Sequence, residues 1–180
     1  MKEKVLNFIM FQIGWWASVL GAGADNYWIG PVTITAMVTF HLYLSDNWRR
    51  DLLTVLMVGV VGFITDSLQI GTSVFTPEPI EPTSWICPPW LLFMWFGFAI
   101  TLHSSLGWLK NSLALSSFFA LIGGPVTYYS GEKFGALLFN ENLVFAFTTM
   151  AIAWAVAMPV LLYIARRLEA IFDRADYPTE

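Results

Sequence analysis

The chain is poor in charge. Of its 180 residues, 12% are Asp, Glu, Lys or Arg, while 57% are hydrophobic. Soluble domains usually carry about 25% charged residues, so this composition excludes an ordinary soluble domain and points to an integral membrane protein. Cysteine is nearly absent: Cys87 stands alone, which rules out an intrachain disulfide or a thiolate metal centre. The two histidines do not make a zinc site without carboxylate help, and no metal site is expected. Basic residues are scarce too. Nine Lys and Arg against 13 Asp and Glu leave no basic stripe to neutralise phosphates, which argues against nucleic acid as a partner. GxGxxG, Walker A, HExxH and GxSxG patterns are all missing. Soluble-enzyme chemistry therefore has no support, and no cofactor is expected.

What is present is a series of apolar stretches. Six of them, at about 5–20, 28–44, 52–71, 90–109, 112–129 and 143–165, are each long enough to cross a hydrocarbon core of about 30 Å. The first could pass for a signal peptide, since Lys2 and Lys4 precede it and Ala22-Gly23-Ala24 resembles a cleavage site. Gln12, Trp15 and Trp16 inside the run favour a retained span. The expected fold is a single all-α domain, a polytopic bundle of six transmembrane helices. Residues 72–89, with five prolines, form an outer polar loop or cap. The connection 132–142 lies on the same side, with 134–139 in the interface. Residues 166–180 form a cytoplasmic amphipathic tail lying at the membrane surface. Lys2, Lys4, Arg49, Arg50, Lys110, Arg166, Arg167 and Arg174 fall on one side of this arrangement, and only Lys133 on the other. Positive charge marks the cytoplasmic side. Both termini are therefore expected in the cytoplasm, and a bacterial inner membrane is the simplest location.

Asp66 is the one acid deep inside an apolar run. Ionisable groups within a span are costly and usually face a bundle interior or cavity with a partner. Gly59, Gly62, Asp66 and Gln69 follow the three- and four-residue spacing of one helix face. That face is small at one end, for close helix packing, and polar at the other. Topology places Asp66 in the outer third, level with Gln69, Thr127 and Tyr128. Two tetrapeptides, Gly30-Pro31-Val32-Thr33 and Gly124-Pro125-Val126-Thr127, sit in the same layer. With Gly123 they are expected to break or start helices there, either as in transporters that build sites from discontinuous helices or simply as an N-terminal proline in one span and a packing kink in the other. The functional reading is a pocket formed by spans three, five and one or two. Asp66 is its charged group, Gln69, Thr127 and Tyr128 are hydrogen-bonding partners, and Gln12, Trp15 and Trp16 are walls. The alternative is a buried structural carboxyl satisfied by Tyr, Thr or backbone donors.

A second polar layer contains His41 and His103, each in a Thr-x-His string and at similar depth. Two such imidazoles could ligate haem or relay protons, or each could be a hydrogen-bonded residue near the headgroups. Their depth differs from that of Asp66, so a joint mechanism is not expected. Among the nine tryptophans, Trp28, Trp48, Trp85, Trp90 and Trp108 fall at span ends as an interfacial belt. Trp15, Trp16, Trp95 and Trp154 lie deeper, either as packing or as the lining of a site for an apolar, lipid-like ligand.

Several strings together carry a family resemblance. They are Gly30-Pro31, His41-Leu42, Asp66-Ser67-Leu68, Pro89-Trp90, Thr101-Leu102, Ser105-Leu106-Gly107-Trp108-Leu109, and Gly123 through Tyr128 with Gly131 and Gly135-Ala136. The chain resembles a family of small six-span bacterial inner-membrane proteins known as a domain of unknown function. Members are similar in carrying an acid in span three. The resemblance brings no established chemistry. It implies a role at the bilayer, beside enzymes that modify membrane fatty acids and stress-response regulators. Membrane lipids, other membrane proteins and lipid-modifying enzymes are the implied partners. Pro88-Pro89-Trp90 is also similar to a string in tryptophan-rich sensory proteins that bind porphyrins, but those have five spans and a different surrounding pattern. Three readings stay open: binding or transport of a small or lipid-like ligand, an accessory or enzymatic part in fatty-acid modification, and two-histidine haem binding.

Overall fold

A computed structural model describes residues 2–78 and 85–176. Six α-helices dominate: α1 (Lys2–Gly23), α2 (Ile29–Leu44), α3 (Trp48–Gly71), α4 (Pro89–Ala99), α5 (Leu113–Lys133) and α6 (Leu143–Asp176). Short polar residues set several starts by accepting otherwise unpaired amides. Asn47 accepts from the Arg50 amide at 3.2 Å, Ser112 from Leu115 at 3.2 Å, and Asn142 from Phe145 at 3.1 Å. The segments Glu3–Gly23, Trp48–Gly71 and Leu143–Asp173 are long and apolar enough to cross a membrane. Outward-facing side chains such as Val60, Leu68, Val144 and Val156 are more than half exposed, which suits a hydrocarbon surrounding.

Two expected spans need correction. The stretch 90–109 is not one helix. α4 stops at Ala99 and is followed by turns and a short 3₁₀ helix, Gly107–Asn111. Polar side chains take over the backbone partners there, as short polar residues do when they compete with a helix. Thr101 donates to the Phe98 carbonyl at 2.6 Å. Asn7 of α1 donates to the Ile100 carbonyl at 3.1 Å and accepts from the Ser105 hydroxyl at 2.7 Å. Conversely, Gly123-Gly124-Pro125 is no break, because α5 runs straight through it. Gly30 and Pro31 lie inside the first turn of α2, where a proline costs no needed bond.

The tail also differs from expectation. α6 continues to Asp176 as one 34-residue helix, about 51 Å long. It does not turn away after residue 165: Leu168 is buried against the body, while Ile171 is exposed. The loop after α3 is more than a polar cap. Val74 and Phe75 are fully buried, and Phe75–Pro77 (β1) pairs antiparallel with Leu137–Phe139 (β2), Phe75 opposite Phe139. Gly135, at φ +77°, makes the tight turn before β2. The segment 134–139, expected in the interface, thus supplies a strand. Pro79, Glu81 and Pro82 of the expected loop lie outside the described residues.

The core falls into two clusters. One, at the ladder end, joins Trp15, Val74, Phe75, Trp90, Leu91, Tyr128 and Met150. The other, at the histidine end, joins Val58, Trp95, Leu102, Leu109, Leu161 and Leu162. Trp154 packs against both. α5 packs on α6, α3 on α4 and α6, and α1 on α2 and α4. α1 and α5 face each other across the side that remains, and this gap positions the site.

Candidate functional site

The site begins with two glycines. A Cβ on Gly62 would overlap Trp95 Cγ and stand 2.5 Å from Cδ1, and one on Gly59 would stand 2.8 Å from Phe96 Cδ1. Neither separation is tolerable, so both positions must be bare for α4 to lie against α3. That approach carries the Trp95 indole to Asp66. Trp95 Nε1 donates to Asp66 Oδ2 at 2.6 Å, and Tyr128 Oη donates to Oδ1 at 2.6 Å. Gln69 Nε2 makes a longer contact to Oδ1, 3.5 Å. Asp66 is completely buried. It therefore couples α3 to α4 and α5 through two short hydrogen bonds.

The aromatic partners extend this arrangement across the molecule. Trp95 stacks on Trp154 of α6 with ring centroids 4.8 Å apart and planes 13° apart. A Cβ on Gly124 would overlap Trp154 Cγ and Cδ1 and stand 2.8 Å from its Cβ, so that glycine admits the indole against α5. Tyr128 in turn meets Phe75 of the ladder edge-on at 5.1 Å. The adjacent glycine is different: a Cβ on Gly123 would meet nothing within 4 Å.

That open space belongs to a cavity of about 560 Å³, within the range of 300–1,000 Å³ common for ligand sites. Gln12, Trp15 and Trp16 of α1 line one wall, and Gly123, Thr127 and Tyr128 of α5 line the facing wall. Trp95 of α4 and Trp154 of α6 form the back. Along α5 the lining runs from Ser116 to Ser130, about 21 Å of helix. Phe8, Trp16, Phe119 and Val126 both line it and are at least 42% exposed, so the cleft reaches the outside of the bundle. At the ladder end it narrows. A Cβ on Gly23 would lie 3.0 Å from the Phe134 carbonyl carbon, and Trp16 meets the Phe134 ring at 5.1 Å.

The predicted site residues therefore divide. Gln12, Trp15, Trp16, Thr127 and Tyr128 share one cleft. Asp66 and Gln69 do not line it. They stand behind Trp95 and Tyr128, and the cleft is built by α1, α4, α5 and α6 without α3. The expected composition, with span three as a wall and Asp66 as the charged group of the pocket, is corrected on that point: Asp66 is buried against Tyr128 of α5 but lies outside the cleft. Thr127 has no bond to Asp66; its neighbour Tyr128 does. Trp95, expected only as a deeper tryptophan that packs or lines a site, both lines the cleft and donates to Asp66. Its signal was indirect: a bare Gly59–Gly62 face beside an acid calls for a large donor-bearing side chain opposite.

The histidine end holds a separate network. Asp51, 4% exposed, accepts from Arg50 Nε at 2.8 Å and from the Ser45 hydroxyl at 2.6 Å, and lies 3.2 Å from His41 Nε2. His103 Nε2 lies 2.9 Å from the Thr54 hydroxyl and Nδ1 lies 2.8 Å from Glu169 Oε1. Lys110 pairs with the same Glu169 oxygen. Each histidine is thus engaged with its own partners, and neither presents a free Nε2. At the other end, burial pushes the Cys87 thiol far above its usual range, which keeps it protonated and unreactive.

Among known families, the model described as "Protein of unknown function (DUF2878)" matches residues 4–160, and the chain belongs to that family. No curated protein and no solved structure matches the chain.

Proposed function

We propose that the protein is a six-span inner-membrane protein that binds a lipid-like ligand in the cleft between α1 and α5. The observation that carries this is the cleft itself. It is about 560 Å³ in volume, walled mainly by aromatic and aliphatic side chains, uncharged in its lining among the described residues and open along the side of the bundle. A ligand that entered from the bilayer would leave the hydrocarbon only for another apolar surrounding. The protein would then gain by shape and by the few polar groups in the wall. Asp66 is a positioning residue in this reading. It holds Trp95 and Tyr128 in place as parts of the wall.

Six crossings require α4 to reach across together with the turns and 3₁₀ helix up to Asn111. The distribution of Lys and Arg supports both termini lying on the cytoplasmic side, and a bacterial inner membrane is part of this reading. A phosphatase fused after residue 180 should be inactive if that is correct. A cleft that holds a chain from the side also suits a protein that presents lipid to a modifying enzyme, and such an enzyme is the partner we propose. The two-histidine haem reading gains no support, because both Nε2 atoms lie within hydrogen-bond range of side chains.

The test uses Gly123. A leucine there extends into the cleft and meets no atom at its Cβ. Wild-type protein purified in detergent and extracted should yield a bound lipid-like molecule by mass spectrometry, and Gly123→Leu should yield far less while remaining folded. If the two release the same material, or the wild type releases none, the reading is wrong.

A further inference from the structure

Besides Trp16, which is 42% exposed, four aromatic donors stand in or against the cleft wall, and the protein treats them in two ways. Trp95 and Tyr128 both give their hydrogens to Asp66. Trp15 and Trp154 give theirs to nothing: both Nε1 atoms are shielded and have no hydrogen-bond partner among the described residues. Trp15 is 8% exposed. Both rings line the cleft. The wall's serines need no outside partner, because Ser116 and Ser130 already bond within α5, to the Leu113 and Val126 carbonyls. A shielded N–H without an acceptor is costly, and native structures rarely leave one so.

The missing group must accept hydrogen bonds, since an indole N–H only donates. It must also be uncharged. No Lys, Arg, His, Asp or Glu lines the cleft among the described residues, and an isolated carboxylate or phosphate there would be buried without a counter-ion. A carbonyl oxygen meets both conditions and has two lone pairs. Resting on the cleft reading, we infer that the ligand is a neutral carbonyl-bearing lipid, with its carbonyl oxygen held by Trp15 and Trp154 and its chain lying along α5. An acyl ester and a quinone ring both carry such an oxygen.

Delipidated full-length protein in dodecyl maltoside, read by native mass spectrometry, separates these cases. The probes are methyl palmitate, hexadecane, palmitate at pH 9 and decylubiquinone. Each neutral hydrogen bond is worth several-fold in affinity, so an ester or quinone should be retained about tenfold over hexadecane. Palmitate should rank with hexadecane. Preference for the ester or for the quinone assigns the carbonyl source, and either supports the inference. Trp15→Phe and Trp154→Phe keep one aromatic ring at each position and remove the donors. Each should lower the ester-to-hydrocarbon ratio about threefold, and the double variant should abolish the preference. Equal retention of ester and hydrocarbon by the wild type, or a preference that survives the double variant, overturns the inference while the cleft reading stands. Retention of no probe, or a dimer with the cleft occupied by a second copy, overturns both.

Discussion

Gly123 and Gly124 are neighbours on α5 with opposite surroundings, and alanine at each should have opposite effects. In a helix interior, Gly→Ala gains about 0.5–1 kcal/mol from the restricted backbone. At Gly123 that gain should appear nearly whole, because the added methyl meets no atom within 4 Å. At Gly124 the methyl overlaps Trp154 Cγ and Cδ1. These are ring atoms of a side chain stacked on Trp95 at 4.8 Å, so the indole cannot swing aside without moving its partner. Overpacking of this kind costs about 1–3 kcal/mol. The backbone gain is common to both variants, so their difference isolates the clash. Gly123→Ala should be more stable than Gly124→Ala by about 1–3 kcal/mol. Reversible denaturation in mixed micelles, followed by tryptophan emission, measures this directly. The emission of folded Gly124→Ala should also change, since the stacked pair is disturbed. Equal stability of the two variants would refute the packing of α5 on Trp154.

Other perturbations test the remaining parts. Tyr128→Phe leaves Asp66 Oδ1 with only the 3.5 Å contact from Gln69. It should cost about 1–3 kcal/mol, the penalty for an underpaired buried polar group; no loss in the same denaturation assay would show that the bond is unimportant. Asp51 and Glu169 should behave differently from each other, although both join ion pairs. Asp51 is almost wholly buried among Arg50, Ser45 and His41, so Asp51→Ala should cost about 3–5 kcal/mol. Glu169, with a side chain 31% exposed, should cost under about 1 kcal/mol as Glu169→Gln. Similar losses at the two positions would contradict the burial assigned to Asp51.

The sequence made some of this legible for a physical reason: periodicity survives in a membrane chain where it reports on helix faces. Gly59, Gly62 and Asp66 share a face because they are three and four residues apart, and that face does meet another helix closely. Depth was also readable, which is why Tyr128 could be placed beside Asp66. Which helix packs on which was not readable. All the helices are apolar around much of their circumference, so hydrophobic pattern does not choose neighbours. Trp95 is therefore legible as a deep tryptophan that packs or lines a site but not as the donor to Asp66, and span three reads as a wall of the cleft. The early end of α4 was hidden for a related reason. The stretch 90–109 is apolar on average, and it is side-chain bonds from Asn7, ninety-three residues away in sequence, that help stop the helix. Likewise the Gly123–Pro125 string carries the residues of a break, but here the bare position admits Trp154 and the helix continues. The β1–β2 ladder depends on pairing distant segments, and no local pattern announces it.

The central claim is that the space between α1 and α5 is a lipid site. An experimental density map of the protein in nanodiscs tests it most directly. The account predicts elongated density along α5 from Ser116 toward Ser130, with a polar feature at the indole nitrogens of Trp15 and Trp154. Direct contact of α1 with α5 along their whole length, or a helix from a second copy filling the gap, would contradict it.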